Sequence, residues 1–147
     1  LLMEGVHVAH DSVVGNGCII GNSTKLAGET LIDEFAILSA GVLMHQFCRV
    51  GSFTMVGGGT RFSQSILPYS MVARDPAAFC GLNLVGLKRR GFERELINRI
   101  HETYQIIMGQ GKLNDKLERV KNEIPMSKEI QYILDFIDWT GQRGFIR

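Results

Sequence analysis

No apolar run in this sequence approaches the roughly 20 residues needed to cross a bilayer as a helix. Charge of one sign is also lacking: Lys and Arg total 16, Asp and Glu 15, for a net charge of +1. The chain is therefore not a polycation built for nucleic acid, and an anionic partner would have to meet a local basic patch. Cysteine is scarce and odd in number (Cys18, Cys48, Cys80) and no CxxC pair occurs. This excludes a disulfide scaffold and the usual structural zinc motifs, and it fits reduced thiols in the cytoplasm. The opening LLMEGVHVAHD has neither a basic segment nor a small-residue cleavage site, so it does not read as a signal peptide.

What the chain does have is a clock. From Val8, steps of six reach Val14, Ile20, Leu26, Ile32, Leu38, Met44, Val50, Val56 and Phe62, all large and apolar. The residue after each stop is mostly very small, and the residue two before it (Thr24, Thr30, Ala36, Cys48 and their equivalents) is small or β-branched. A period of six suits neither an ordinary helix nor a hairpin series. It suits a parallel β-helix of triangular coils, one six-residue segment per face, with successive coils about 4.8 Å apart. On this reading the large residues point inward, Cys18 and Cys48 are core, and the small residues turn the corners. Leu2 extends the clock backward, so a longer natural protein with further N-terminal coils is expected. The pattern decays after Phe62, and Val72 to Asn83 reads as irregular. Three amphipathic helical stripes follow: Leu96 to Met108, Leu113 to Ile124, and one capped by Ser127 running through Ile137. The expected organisation is a β-helix over residues 1–71, then a loop and a helical bundle over 72–147 covering its C-terminal end.

Residues 18 apart stack, so His10, Gly28 and Gln46 form one column. A histidine beside a glycine amide is an acyl-transfer layout: the imidazole as general base, the unobstructed Gly28 N–H as oxyanion donor, and Asp11 to orient the ring. A second column, Asn22, Ala40 and Gly58, shrinks toward Gly58 and leaves room for a chain along the surface, although three consecutive glycines could also serve a tight corner. Lys88, Arg89, Arg90 and Arg94 form a basic cluster suited either to anion recognition or to a solvated helix entrance.

The ordered motifs HVAHD, KLAGE, MHQFCRVG and GLNLVGLKRRGF, ahead of a tail ending RGFIR, resemble the bacterial UDP-N-acetylglucosamine O-acyltransferases over essentially the whole chain. The resemblance implies a left-handed parallel β-helix followed by a C-terminal helical bundle, a homotrimer with sites between neighbours, and no metal or free cofactor. It implies transfer of a 3-hydroxyacyl chain from acyl carrier protein to the 3-hydroxyl of UDP-N-acetylglucosamine, the first step of lipid A synthesis. Residue by residue, it places His10 and Asp11 in catalysis and Gly28 at the oxyanion. His7, His45 and Gln46 fall in the substrate cleft, Asn83, Arg89 and Arg90 near the nucleotide, and Gly58 at the acyl-length position. Well-known members carry histidine at Glu29 and glutamate at Val85. The other readings are a related N-acyl- or acetyl-transferase, a non-enzymatic solenoid, and a zinc site built on His7, His10 and His45.

Overall fold

The computed structural model describes residues 1–147. Ten two-residue strands follow one another at six-residue intervals: β1 (His7–Val8), β2 (Val13–Val14), β3 (Ile19–Ile20), β4 (Lys25–Leu26), β5 (Leu31–Ile32), β6 (Ile37–Leu38), β7 (Leu43–Met44), β8 (Arg49–Val50), β9 (Met55–Val56) and β10 (Arg61–Phe62). They stack in parallel into three faces, β1-β4-β7-β10, β2-β5-β8 and β3-β6-β9. Their partners are 18 residues apart, as in His7 with Lys25 and Ile19 with Ile37. Two side chains per six point inward. One is the large stop; the other lies two residues before it, where Thr24, Thr30, Ala36 and Thr54 are completely buried. The buried hydroxyls are satisfied locally: Thr24 Oγ1 donates to the Ser39 carbonyl at 3.0 Å and Thr54 Oγ1 to that of Leu67 at 3.1 Å.

The corners fall elsewhere than the small residues suggested. The backbone turns three residues after each stop, where Asp11, Ser23, Glu29, Phe35, Phe47 and Phe53 hold positive φ between 56° and 64°. The small residue just after the stop serves close packing between coils: a Cβ on Gly21 would lie 2.6 Å from the Ala40 nitrogen, and one on Gly51 2.5 Å from Pro68.

The repeat does not decay after Phe62; it skips. Ile66, fully buried, bridges to Val50 in parallel, and Tyr69 takes the corner above Phe53. The step from Phe62 to Ile66 is four residues instead of six, and Val72 then resumes the clock. The stretch expected to be irregular is a hairpin: β11 (Ser70–Ala73) adds in parallel to β9, and β12 (Ala78–Leu82) pairs antiparallel with β11. The third face thus continues across the expected 71/72 boundary.

The three expected helices are present as α2 (Arg94–Ile107), α3 (Leu113–Glu123) and α4 (Lys128–Thr140), the last capped by Ser127 Oγ accepting from the Ile130 N–H at 3.3 Å. A short α1 (Leu84–Arg89) precedes them, started by Asn83. Their apolar faces form one core with Leu67, Tyr69 and Leu82 from the end of the solenoid. Tyr104 Oη donates to the Pro68 carbonyl, and the Tyr132 hydroxyl bonds Asp33, just after β5, and Ser52, just before the corner residue Phe53. Arg49 binds the Asp33 carboxylate through Nε at 3.0 Å to both oxygens and lies 4.7 Å from the Phe136 ring centre, which docks α4 onto the second face. No helix is long and apolar enough to cross a membrane.

Candidate active site

The edge between the first and second faces carries the residue pairs His10–Asp11, Gly28–Glu29 and Gln46–Phe47, one pair per coil. The Glu29 N–H donates to the His10 carbonyl at 2.9 Å, which locks the first pair over the second. The His10 ring lies directly across Gly28: a Cβ there would sit 2.5 Å from His10 Nε2. Gly28 has no positive φ, so the imidazole, not the turn, demands the glycine. His10 Nδ1 lies 3.1 Å from Asp11 Oδ2, an arrangement that points Nε2 toward Gly28 when the Nδ1 proton is donated to the carboxylate. The first residue of each corner pair leaves its amide without an acceptor in the chain, except Ser52, whose N–H is taken by Tyr132. The Gly28 N–H thus has no acceptor within the chain, while the residue itself is buried against the His10 ring.

The first face beside this edge forms a groove of about 630 Å³. Its floor is the outward column His7, Lys25, Leu43 and Arg61, with Ala9 and Ala27 on the His10 side, His45 further along, and the Asp75–Ala77 turn closing the far end. His7 and His45 are thus brought to one groove, bordered by the edge that carries His10, Gly28 and Gln46. Lys25 and Arg61 were missed in the sequence, although the 18-residue column through His7 names them both. The opposite border is the edge of Asn22, Ala40 and Gly58. Here Gly59 holds φ +72°, and a Cβ on Gly57 would press on Ala73 Cβ at 3.0 Å. Gly58 meets neither demand, since its nearest neighbour would be the Ala40 carbonyl at an ordinary 3.4 Å.

Asn83, Arg89 and Arg90 lie apart from these residues, at the edge between the second and third faces. That edge is an aromatic ladder: Phe35 stacks on Phe53 at 5.2 Å and Phe53 on Tyr69 at 5.9 Å. Arg90 packs its guanidinium 4.4 Å from the Phe35 ring centre. Asn83 is buried and committed to structure, donating to the Phe53 carbonyl at 3.0 Å and accepting from the Gly86 N–H at 3.3 Å. Arg89 is exposed at the end of α1. Within one chain, the residues expected near the nucleotide and those expected in catalysis stand on different edges of the prism.

Burial pushes the Cys48 thiol up to about 11 and raises Cys18 too, which disfavours the thiolate at both. His10, Asp11 and Glu29 bring potential ligand atoms within 4.8 Å of one another, all solvent-exposed; no such grouping joins His7 or His45 to His10.

The family model for UDP-N-acetylglucosamine O-acyltransferase, domain 2, matches residues 66–146. The chain is 41% identical over its whole length to a protein of Ectopseudomonas mendocina, and 38% to one of Aliivibrio salmonicida. Both are named acyl-(acyl-carrier-protein)–UDP-N-acetylglucosamine O-acyltransferase, and the chain covers 57% and 56% of them respectively. The crystal structure of a UDP-N-acetylglucosamine acyltransferase from Bacteroides fragilis superposes with a TM-score of 0.94 at 56% identity, over 99% of this chain and 57% of that one. The chain spans a little over half the length of these relatives, and it belongs to the UDP-N-acetylglucosamine O-acyltransferase family.

Proposed function

We propose that the complete protein transfers a 3-hydroxyacyl chain from acyl carrier protein to the 3-hydroxyl of UDP-N-acetylglucosamine, the opening step of lipid A synthesis, in the cytoplasm and without a metal or free cofactor. One observation carries this reading: a histidine, hydrogen-bonded to Asp11, faces a glycine with a free amide at the border of a groove. His10 Nε2 takes the proton of the sugar hydroxyl as its oxygen attacks the thioester carbonyl. The Gly28 N–H donates to the oxyanion. Collapse breaks the C–S bond, and the departing thiolate recovers the proton from Nε2. His7, His45 and Gln46 line the substrate path.

The separation of the two edges supports a homotrimer, in which Arg89 and Arg90 of one copy approach the His10 edge of the next. The third face supplies a surface for such contact: its outward column Ile19, Ile37, Met55 and Met71 is only half-buried and belongs to neither core. Arginine suits a diphosphate because its fork binds two oxygens together. Gly58, a glycine that the backbone does not require, fits a ruler for acyl length. The left-handed sense of the coil belongs to the same reading.

The test presents the full-length protein with candidate acyl carrier thioesters and UDP-sugars and identifies products by mass. O-acylated UDP-N-acetylglucosamine, formed from the carrier thioester and not from coenzyme A, is the expected product. Exclusive use of acetyl-coenzyme A would replace this reading with that of an acetyltransferase.

A further inference from the structure

We propose that Glu29 is a second carboxylate serving His10, a positioning residue that stabilises the imidazolium during transfer; this rests on the assignment of His10 as base. Glu29 stands one coil beyond Asp11, 18 residues on. The two share the same left-handed corner conformation, φ 57° at Asp11 and 56° at Glu29. The hydrogen bond from the Glu29 N–H to the His10 carbonyl, 2.9 Å, ties its backbone to that of the base. Gly28, which intervenes, has no side chain to separate the Glu29 carboxylate from the ring. The result is a cluster in which ligand atoms of His10, Asp11 and Glu29 all lie within 4.8 Å of one another. Neither carboxylate is spent on a Lys or Arg partner.

The chemistry gives this geometry a direction. A general base starts the reaction uncharged, and until the proton moves Asp11 meets the ring only through the hydrogen bond at Nδ1. When the sugar O–H bond breaks and its proton moves to Nε2, both carboxylates gain an attraction to the new cation. The protein has then placed charge that acts on the transition state and not on the bound substrates, which is the condition for raising kcat. The proton leaves again with the thiolate, so no oxidant, reductant or further reactant enters. At this separation, with an effective dielectric between that of water and that of a protein surface, one carboxylate accounts for a factor on the order of 5 to 50 in rate.

Two variants of the full-length enzyme, Glu29→Gln and Glu29→Asp, test the assignment by steady-state kinetics with acyl carrier thioester and UDP-N-acetylglucosamine. Glu29→Gln is expected to lower kcat about 5- to 50-fold, with both KM values within about twofold of the parent. Glu29→Asp should recover at least half of the lost rate, because it restores charge one methylene shorter. The side chain is exposed, so melting temperatures should match and exclude misfolding. Unchanged kcat in Glu29→Gln overturns the proposal. So does a raised KM for the sugar nucleotide at constant kcat, which would make Glu29 a substrate contact. His10→Ala, measured beside them, is read separately: near-normal turnover there removes the base itself, whatever Glu29 does.

Discussion

The solenoid and the helical part solve the same packing problem by opposite means. In the solenoid, the neighbour of any side chain is given by arithmetic: Ile20 lies under Leu38, and Leu38 under Val56. Its core tolerates Thr24, Thr30 and Thr54 because a backbone carbonyl or hydroxyl recurs at each level to receive the Oγ–H. In the helical part no such repeat exists. Ile100, Tyr104, Val120, Ile133 and Phe136 meet from three helices and pack with Leu67 and Tyr69 from the end of the coil, and their apolar contacts depend on shape. The first region fixes addresses and the second supplies a closure. The candidate chemistry sits where addresses are fixed: moving from His10 to Gly28 to Gln46 is a translation by one coil each time.

The sharpest way to probe this division is His10→Ala. It should lower turnover of the full-length enzyme by roughly 10²–10⁴, the usual worth of a positioned base, while leaving the melting temperature untouched. A large loss of stability would mean that the edge is structural. Ile100→Ala attacks the other region. A completely buried residue in a shape-dependent core should cost about 2–5 kcal/mol. Urea unfolding followed by helical circular dichroism measures it, and a second transition at the parental midpoint would show the solenoid standing alone.

Alkaline pH acts on both regions in one direction. The buried phenols of Tyr69, Tyr104 and Tyr132 at the junction are pushed above their ordinary range, chiefly by burial, and Cys48 in the solenoid is raised to about 11. A group whose folded pKa is raised contributes stability that is whole below its unfolded value and is lost as pH climbs through the folded one. Melting temperatures should therefore fall as pH rises from about 9 toward 11, and Cys48→Ala should flatten that slope. Gly58→Met should leave the fold intact, since a Cβ fits there, and shift donor preference to shorter chains. Each excluded methylene is worth about 0.8 kcal/mol. A uniform loss across all chain lengths would deny Gly58 a ruler's role. The smallest effect belongs to Ser127→Ala, about 1 kcal/mol from the lost cap of α4.

Much of this division could be read from the sequence, because periodicity records burial directly. The ten strands, the 18-residue columns, the core cysteines and the three longer helices all follow from spacing. The four-residue step between Phe62 and Ile66 could not be read, since a clock that skips looks like one that stops. Nor could the corners, because phenylalanine at positive φ is no turn signal. Phe35 and Phe53 accept that conformation where stacking with each other and with Tyr69 and Phe92 holds it. The placement of Asn83 as a buried helix cap was hidden for another reason: α1 is too short to show a stripe. The His10–Gly28 pair was legible because one needs a ring and the other the absence of a side chain.

A pile of parallel coils has no inherent length; its last rung offers the same unpaired amides and carbonyls that a growing fibril offers to the next molecule. Here the reversal of β12 against β11 matters beyond its few residues. An antiparallel strand at the rim of the third face breaks the template, and on the second face single bridges, Ile66 on Val50 and the C-terminal Phe145 on Ser65, stand where a full rung would be. The hairpin and these single bridges work as a chain terminator on those two faces, opposing end-to-end polymerisation in an architecture that would otherwise invite it.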